Sequence, residues 1–400
     1  MRFKNKGRKI YKTKEKNYYG KTPAAKAFSV GLTVLLIGGI GFLGYSAAEP
    51  VINYTKKKGD NTISTLSTDS ALTPASTPVE ATGGNAELQV PLGREEYRAA
   101  AFTPVDLTSV ETLKAALRRI PDSLDIEYVE VPLKVSGGEL YYMSSVYYAT
   151  QTGAIKNMIS LKDIVDTIEG SGYKSAAMVS TFKDYILPIA DRRSGYITAE
   201  TDEQWIDNDY ESGGKPWTSP FSQMAVDYNG EIVDEIASAG FDKIICTDMI
   251  FPDFRESDLE ILPRDISAHD RYKALTAAAN LYYDKALSHG STMAVEIKAS
   301  DILKGNKDVI SEPLYLNVNS IILNIDIDEI SYGVYTSSTV YEFKGTAAEK
   351  TKTMLSLVRN ELKDYSNVTV RLSGVSVTPD ELVKAKEVIG EFGFTSFVIG

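Results

Sequence analysis

The chain contains one cysteine, Cys246, and two histidines, His269 and His289. A single thiol cannot close an intramolecular disulfide, and no cysteine cluster exists to hold zinc. With so little imidazole, acid–base chemistry falls to carboxylates. His289 precedes Gly290 and reads as the end of a helix. A basic excess is also missing: 43 Lys and Arg stand against 54 Asp and Glu, a net charge of −11. That balance excludes a general nucleic-acid binder, which would carry a basic face. No glycine-rich phosphate loop follows the first expected strand to support a nucleotide site, and no cofactor is expected. Solenoid-type repeats are absent as well.

What charge there is lies unevenly. Residues 1–26 hold ten Lys and Arg and one Glu, which leaves the rest near −20. Residues 27–48 carry no charge and are long enough to cross a hydrocarbon core. The basic flank on their amino side predicts a cytoplasmic tail (1–26), a transmembrane helix (27–48) and an exported remainder at the cell membrane. A cleaved signal peptide is the competing reading, because Ser46 and Ala48 are small residues before a possible cut. Residues 49–95 are rich in Ser, Thr, Pro, Gly and Ala, too poor in apolar periodicity to bury a core. They read as a flexible tether.

From Tyr97 onward the pattern changes to a folded domain, 96–400. Short β-branched or aromatic runs recur at 97–103, 126–132, 175–181, 241–247, 292–297, 318–324, 368–372 and 395–399. Amphipathic or Ala-rich helical stretches alternate with them, at 109–120, 160–169, 221–239, 268–288, 347–363 and 379–392. This count and order predict a (β/α)8 barrel. An open doubly wound sheet is the alternative.

Barrel sites are built at the carboxyl ends of strands. The fourth apolar run leads into Asp248 and the fifth contains Glu296. Adjacent strands lie about 4.8 Å apart, so the two carboxyl groups fall within the roughly 5–9 Å used in glycoside hydrolysis. Asp248 and Glu296 are therefore the candidate catalytic pair. Alternatively, Asp248 only caps or turns the chain or pairs with a Lys, and Glu296 points outward or bonds Lys298. Lys134, Lys183, Asp184 and Arg371 lie at or near other strand ends and are candidate substrate-binding residues. Trp217 is the candidate stacking ring in a long aromatic excursion, 182–220, whose rings could equally form their own small core.

The segment GFDKIICTDMIFP, residues 240–252, carries a resemblance. It is similar to the marker GFDEIQFDYIRFP of a family of bacterial envelope proteins with a glycoside-hydrolase-type barrel, often behind an N-terminal anchor. Gly240, Phe241, Asp242, Ile244, Phe251 and Pro252 agree, whereas the family's Asp, Tyr and Arg fall on Thr247, Asp248 and Ile250. Lys134, the Phe182-Lys183-Asp184 run, Trp217 with Pro220, and Arg371 match further family positions. The family's strand-five Asp falls on Glu296. The resemblance implies a divergent member acting on polysaccharide or a peptidoglycan-type glycan. Its altered site positions also imply the alternative, a barrel without catalysis that binds glycan or an envelope protein.

Overall fold

The computed structural model describes residues 96–399, apart from 122–123, 264–265, 267–270, 306–317, 337, 360–361 and 363–367. The expected tail, transmembrane segment and tether, residues 1–95, lie outside the described residues, as does His269. Among the described residues no helix is long and apolar enough to cross a membrane.

Eight parallel strands close into a barrel. They are β1 (Arg98–Ala101), β2 (Tyr128–Lys134), β3 (Lys174–Ser180), β4 (Lys243–Thr247), β5 (Thr292–Lys298), β6 (Ser320–Asp326), β7 (Val368–Ser373) and β8 (Phe397–Ile399). Each pairs with the next, and β8 closes on β1 through Arg98 opposite Phe397 and Ala100 opposite Ile399. The main outer helices are α1 (Val110–Leu117), α2 (Leu161–Glu169), α3 (Gln223–Ser238), α4 (Arg271–Ser288), α5 (Ala347–Val358) and α6 (Pro379–Glu391). The open-sheet alternative is thereby excluded.

Local chemistry sets these boundaries. Ser109, Ser160, Thr346 and Thr378 cap α1, α2, α5 and α6, each accepting from the backbone N–H three residues on. Gly240 turns the chain between α3 and β4 with φ +98°, a conformation that favours glycine. Asp242 then ties the base of β4 to β3, its Oδ2 accepting from the Ser175 N–H at 2.8 Å. His289 follows α4 and meets Asp234 at 3.2 Å, in keeping with its reading as a helix-end residue.

Two hydrophobic layers result. The larger fills the space between strands and helices, and includes Val131, Ile232, Ile244, Tyr282 and Val295. The smaller lies inside the barrel: Tyr97, Ala99, Tyr128, Ala176, Ile245, Ala294, Ile322 and Val398. Side chains alternate between these layers along the strands, except at the end of β2, where the register slips between Pro132 and Lys134. Three of the inner residues are alanines, where barrels more often carry bulky branched groups. Glu130 and Arg371 share the inward parity of Tyr128 and Val398, and both are buried.

Several elements were not expected. Short helices follow β5 (Ala299–Lys304) and β6 (Ile327–Ser331), and a small antiparallel ribbon joins Val334–Tyr335 to Val340–Tyr341. The aromatic excursion packs on itself. Tyr196, Trp205 and Phe254 meet edge-on or tilted at centroid separations of 5.0–5.7 Å, with Tyr196 and Trp205 buried. For those rings the small-core reading holds.

Candidate active site

Asp248 leaves β4 in the left-handed region, φ +52°. Asp tolerates this conformation better than most residues, because its short side chain bonds locally. Here Ser180, at the end of β3, donates to Asp248 Oδ2 at 2.6 Å. Thr181 also donates, through Oγ1, to the Asp248 carbonyl at 3.1 Å. The carboxylate is thus fixed at the barrel mouth, half-buried.

Glu296 lies on β5 with its side chain 13% exposed. Its Oε1 accepts from Asn324 Nδ2 at 3.0 Å, and Asn324 Oδ1 accepts in turn from Ser373 at 2.9 Å. Its Oε2 lies 2.7 Å from Arg371 Nε. Burial pushes the Glu296 carboxyl above its ordinary range, Arg371 pulls it down, and the charges of Glu130 and Asp248 push it up again. The net direction is upward, toward the protonated form.

Asp248 and Glu296 line one small cleft, together with Met249, Ile250, Ile297, Lys298 and Asp301. The expected pair is therefore brought together at the carboxyl end of neighbouring strands. Lys298 does not bond Glu296. It reaches Glu329 at 2.7 Å, on the short helix after β6.

The other candidates fall into two further places. Lys134 sits where the β2–β3 register slips between Pro132 and Lys134. Such a bulge re-aims a side chain. Lys134 pairs with Asp184 at 2.8 Å, with exposures of 0% and 1%. It also donates to the Ser180 carbonyl at 2.9 Å and to Asn229 Oδ1, on α3, at 3.0 Å. Asp184 Oδ1 accepts from the backbone N–H groups of Ile186 and Leu187. These two residues, expected to meet substrate, instead brace the loops after β2 and β3 from behind the barrel wall. Lys183 and Trp217 lie together, the ammonium 5.6 Å from the ring centroid. Trp217 is nearly buried, with Nε1 donating to Asp207 at 2.8 Å and Tyr185 edge-on at 5.9 Å. Arg371 lies under the mouth, 5% exposed, rather than at its surface.

The brace makes a testable demand on Gly138, whose φ is +100°. A Cβ there would stand 2.2 Å from Asp184 Oδ1. Gly138→Ala is expected to lower the unfolding free energy by about 2–3 kcal/mol, from strain and a displaced Asp184. Chemical denaturation checks this, and a change under about 0.5 kcal/mol would show that the loop yields freely.

Glu130 was missed by the sequence reading. It is fully buried on β2, where its Oε1 accepts from the Tyr97 hydroxyl at 2.8 Å. Its Oε2 lies 2.6 Å from Arg371 Nη1. One guanidinium therefore lies between two carboxylates. The signal available was a lone acid within a strand of otherwise apolar neighbours.

A family described as "Putative glycosyl hydrolase domain" matches residues 102–379. The chain belongs to this family. Its departures at Thr247, Asp248 and Ile250 mark it as a divergent member. Among solved structures, the glycoside hydrolase domain of PgaB (BpsB) from Bordetella bronchiseptica is similar over 76% of this chain and 93% of that one, at 12% identity and TM-score 0.54. A hypothetical protein from Ruminiclostridium thermocellum is similar over 49% of this chain and 96% of that one, at 18% identity and TM-score 0.41. A family-20 exo-β-N-acetylglucosaminidase from Vibrio harveyi covers 77% of this chain and 50% of its own, at 13% identity and TM-score 0.46. At such identities likeness speaks for the fold alone. No functionally curated protein matches the sequence.

Proposed function

We propose that this family member hydrolyses a cell-envelope polysaccharide by a two-carboxylate mechanism. The observation that carries the proposal is the shared cleft of Asp248 and Glu296 at the barrel mouth. Glu296 is the general acid: its burial favours the protonated form that can give a proton to the glycosidic oxygen. Asp248 is the second carboxylate, serving as nucleophile or as base for water. The uncharged stretch 27–48 with its basic flank supports a membrane anchor that holds the barrel outside the cell on the tether 49–95. Outside the cell, envelope glycan is the substrate within reach.

A second reading, glycan binding without hydrolysis, is favoured by one observation. Ile250 lines the cleft where the related marker has arginine, so a fixed cation is missing there. The two readings separate in one assay. The purified chain is incubated with envelope glycan, and released reducing ends are measured beside retained glycan. Under the hydrolytic reading, Glu296→Gln loses roughly 10²–10⁴-fold in rate while binding persists. Hydrolysis equal to the parent's would remove Glu296 from the mechanism. Binding with no hydrolysis by the parent would establish the second reading.

A further inference from the structure

Glu130 has no route to substrate: it is 0% exposed and lies deeper in the barrel than Glu296. Retaining a charge there is costly, since burial penalises an ion unless its partners compensate. Its partners are specific. Tyr97 donates to Oε1, and Arg371 approaches Oε2. Arg371 is the same guanidinium that contacts Glu296. Its Nη2 has no hydrogen-bond partner among the described residues, and Nε meets Glu296 as an ion pair without hydrogen-bond geometry. The cation is therefore shared between two acids rather than committed to one.

We propose that Glu130 is a positioning residue that engages the Nη1 side of Arg371, leaving Glu296 only the Nε side, and so lets Glu296 hold a proton at the barrel mouth. A carboxylate paired alone with a buried guanidinium would be pinned in its charged form and useless as an acid. Two acids on one cation leave a net negative charge in the barrel, and a proton relieves it. Glu296 is where that proton goes, because it is the acid that reaches the cleft. The other charged groups that line the cleft have partners of their own or act from a neighbouring strand. Asn324 donates to Oε1, Asp248 adds negative charge from β4, Asp301 pairs with Lys304 at 3.1 Å, and Lys298 is engaged by Glu329. Burial and the charges of Glu130 and Asp248 push Glu296 toward the protonated form, against the opposing pull of Arg371 and of the Asn324 hydrogen bond. Consequences for catalysis rest on the two-carboxylate reading, but the ionisation itself does not.

The test is therefore made first without activity. The full chain is labelled with glutamate carrying ¹³C at the carboxyl carbon, and Glu296 is identified by the signal lost in Glu296→Gln. In Glu130→Gln, the Glu296 titration midpoint is expected to move down by about one pH unit. Glu130→Asp keeps the charge but withdraws it by one methylene, and the shift should be smaller and in the same direction. It serves also if Glu130→Gln fails to fold. A Glu296 midpoint unmoved in a folded variant, within about 0.2 unit, would overturn the proposal. If the parent hydrolyses glycan, the alkaline limb of its rate profile should shift to lower pH by the same amount in Glu130→Gln. A parent without hydrolysis but with the ¹³C shift would leave Glu130's role standing and refute only the enzyme reading.

Discussion

Lys134→Met is expected to lower the unfolding free energy by about 3–5 kcal/mol, the cost of removing one partner from a buried ion pair. The reason is what remains. Asp184, 1% exposed, would keep a charge with no cation beside it. The Ser180 carbonyl and Asn229 Oδ1 would each lose a donor, at roughly 1 kcal/mol apiece within that total. Burial of the Met side chain offsets little, since the site is lined by acceptors. Denaturant titration reads the effect as a lower midpoint at unchanged slope. The double variant Lys134→Met, Asp184→Asn removes the orphaned charge. It keeps an oxygen for the N–H groups of Ile186 and Leu187. It should therefore recover a large part of the loss. If the single variant costs under about 1 kcal/mol, the pair is not the brace that holds these loops.

This pair shows where sequence pattern reaches its limit. All eight strands were legible as short apolar runs, some of them set off by a helix stop just before, such as Gly240 ahead of β4 or Gly290 ahead of β5. Their ends agree with the structure to within a few residues. Asp248 and Glu296 were legible as neighbours because strand order alone makes them so. The side on which Lys134 emerges was not. Strict alternation from Glu130 would turn Lys134 inward, toward the mouth. The slip between Pro132 and Lys134 sends it outward to α3. A one-residue change of register reverses every facing after it; Pro132, which has no N–H for the ladder, was the available sign of a bulge in VEVPLKV, but alternation alone does not use it. The positive φ of Asp248 was likewise invisible, since the hydrogen bonds that hold it come from Ser180 and Thr181 at the end of the preceding strand, β3.

Arg371 was legible as a polar residue of the seventh strand, yet not as the hub of the barrel interior. That role depends on three strands meeting: β2 for Glu130, β5 for Glu296 and β7 for the guanidinium. The pairing also explains the alanines at 99, 176 and 294, which leave room for long charged side chains inside the ring. In the same layer, barrels with branched aliphatic groups gain their stability from apolar contact. Here part of that contact is exchanged for an ion-pair network whose gain depends on all its members being present.

Arg371→Met follows from this dependence and should give a pH-dependent loss of stability. Without the guanidinium, fully buried Glu130 and mostly buried Glu296 face each other's charge with no cation between them. At pH 7 the deficit should reach about 3–5 kcal/mol. Both acids would then favour the neutral form in the folded state, whereas an unfolded glutamate titrates near 4.3. The folded chain would bind more protons than the unfolded one above that value, so stability falls as pH rises. The deficit should accordingly be small near pH 4, grow through pH 5–7, and level off once both acids are ionised. The parent keeps Arg371 charged through the whole range, and its own pH dependence is the smaller one of Glu296, whose upward shift the guanidinium opposes. There the mutual attraction of the guanidinium with Glu130 and Glu296 raises its protonation well beyond ordinary arginine, burial notwithstanding. Arg371→Lys should recover only part, because an ammonium cannot span both acids with a planar fork. Thermal unfolding from pH 4 to pH 8 measures the difference between variant and parent. A deficit that stays constant across that range would mean that the loss is one of packing volume, and that the two acids carry no opposing charge in the folded barrel.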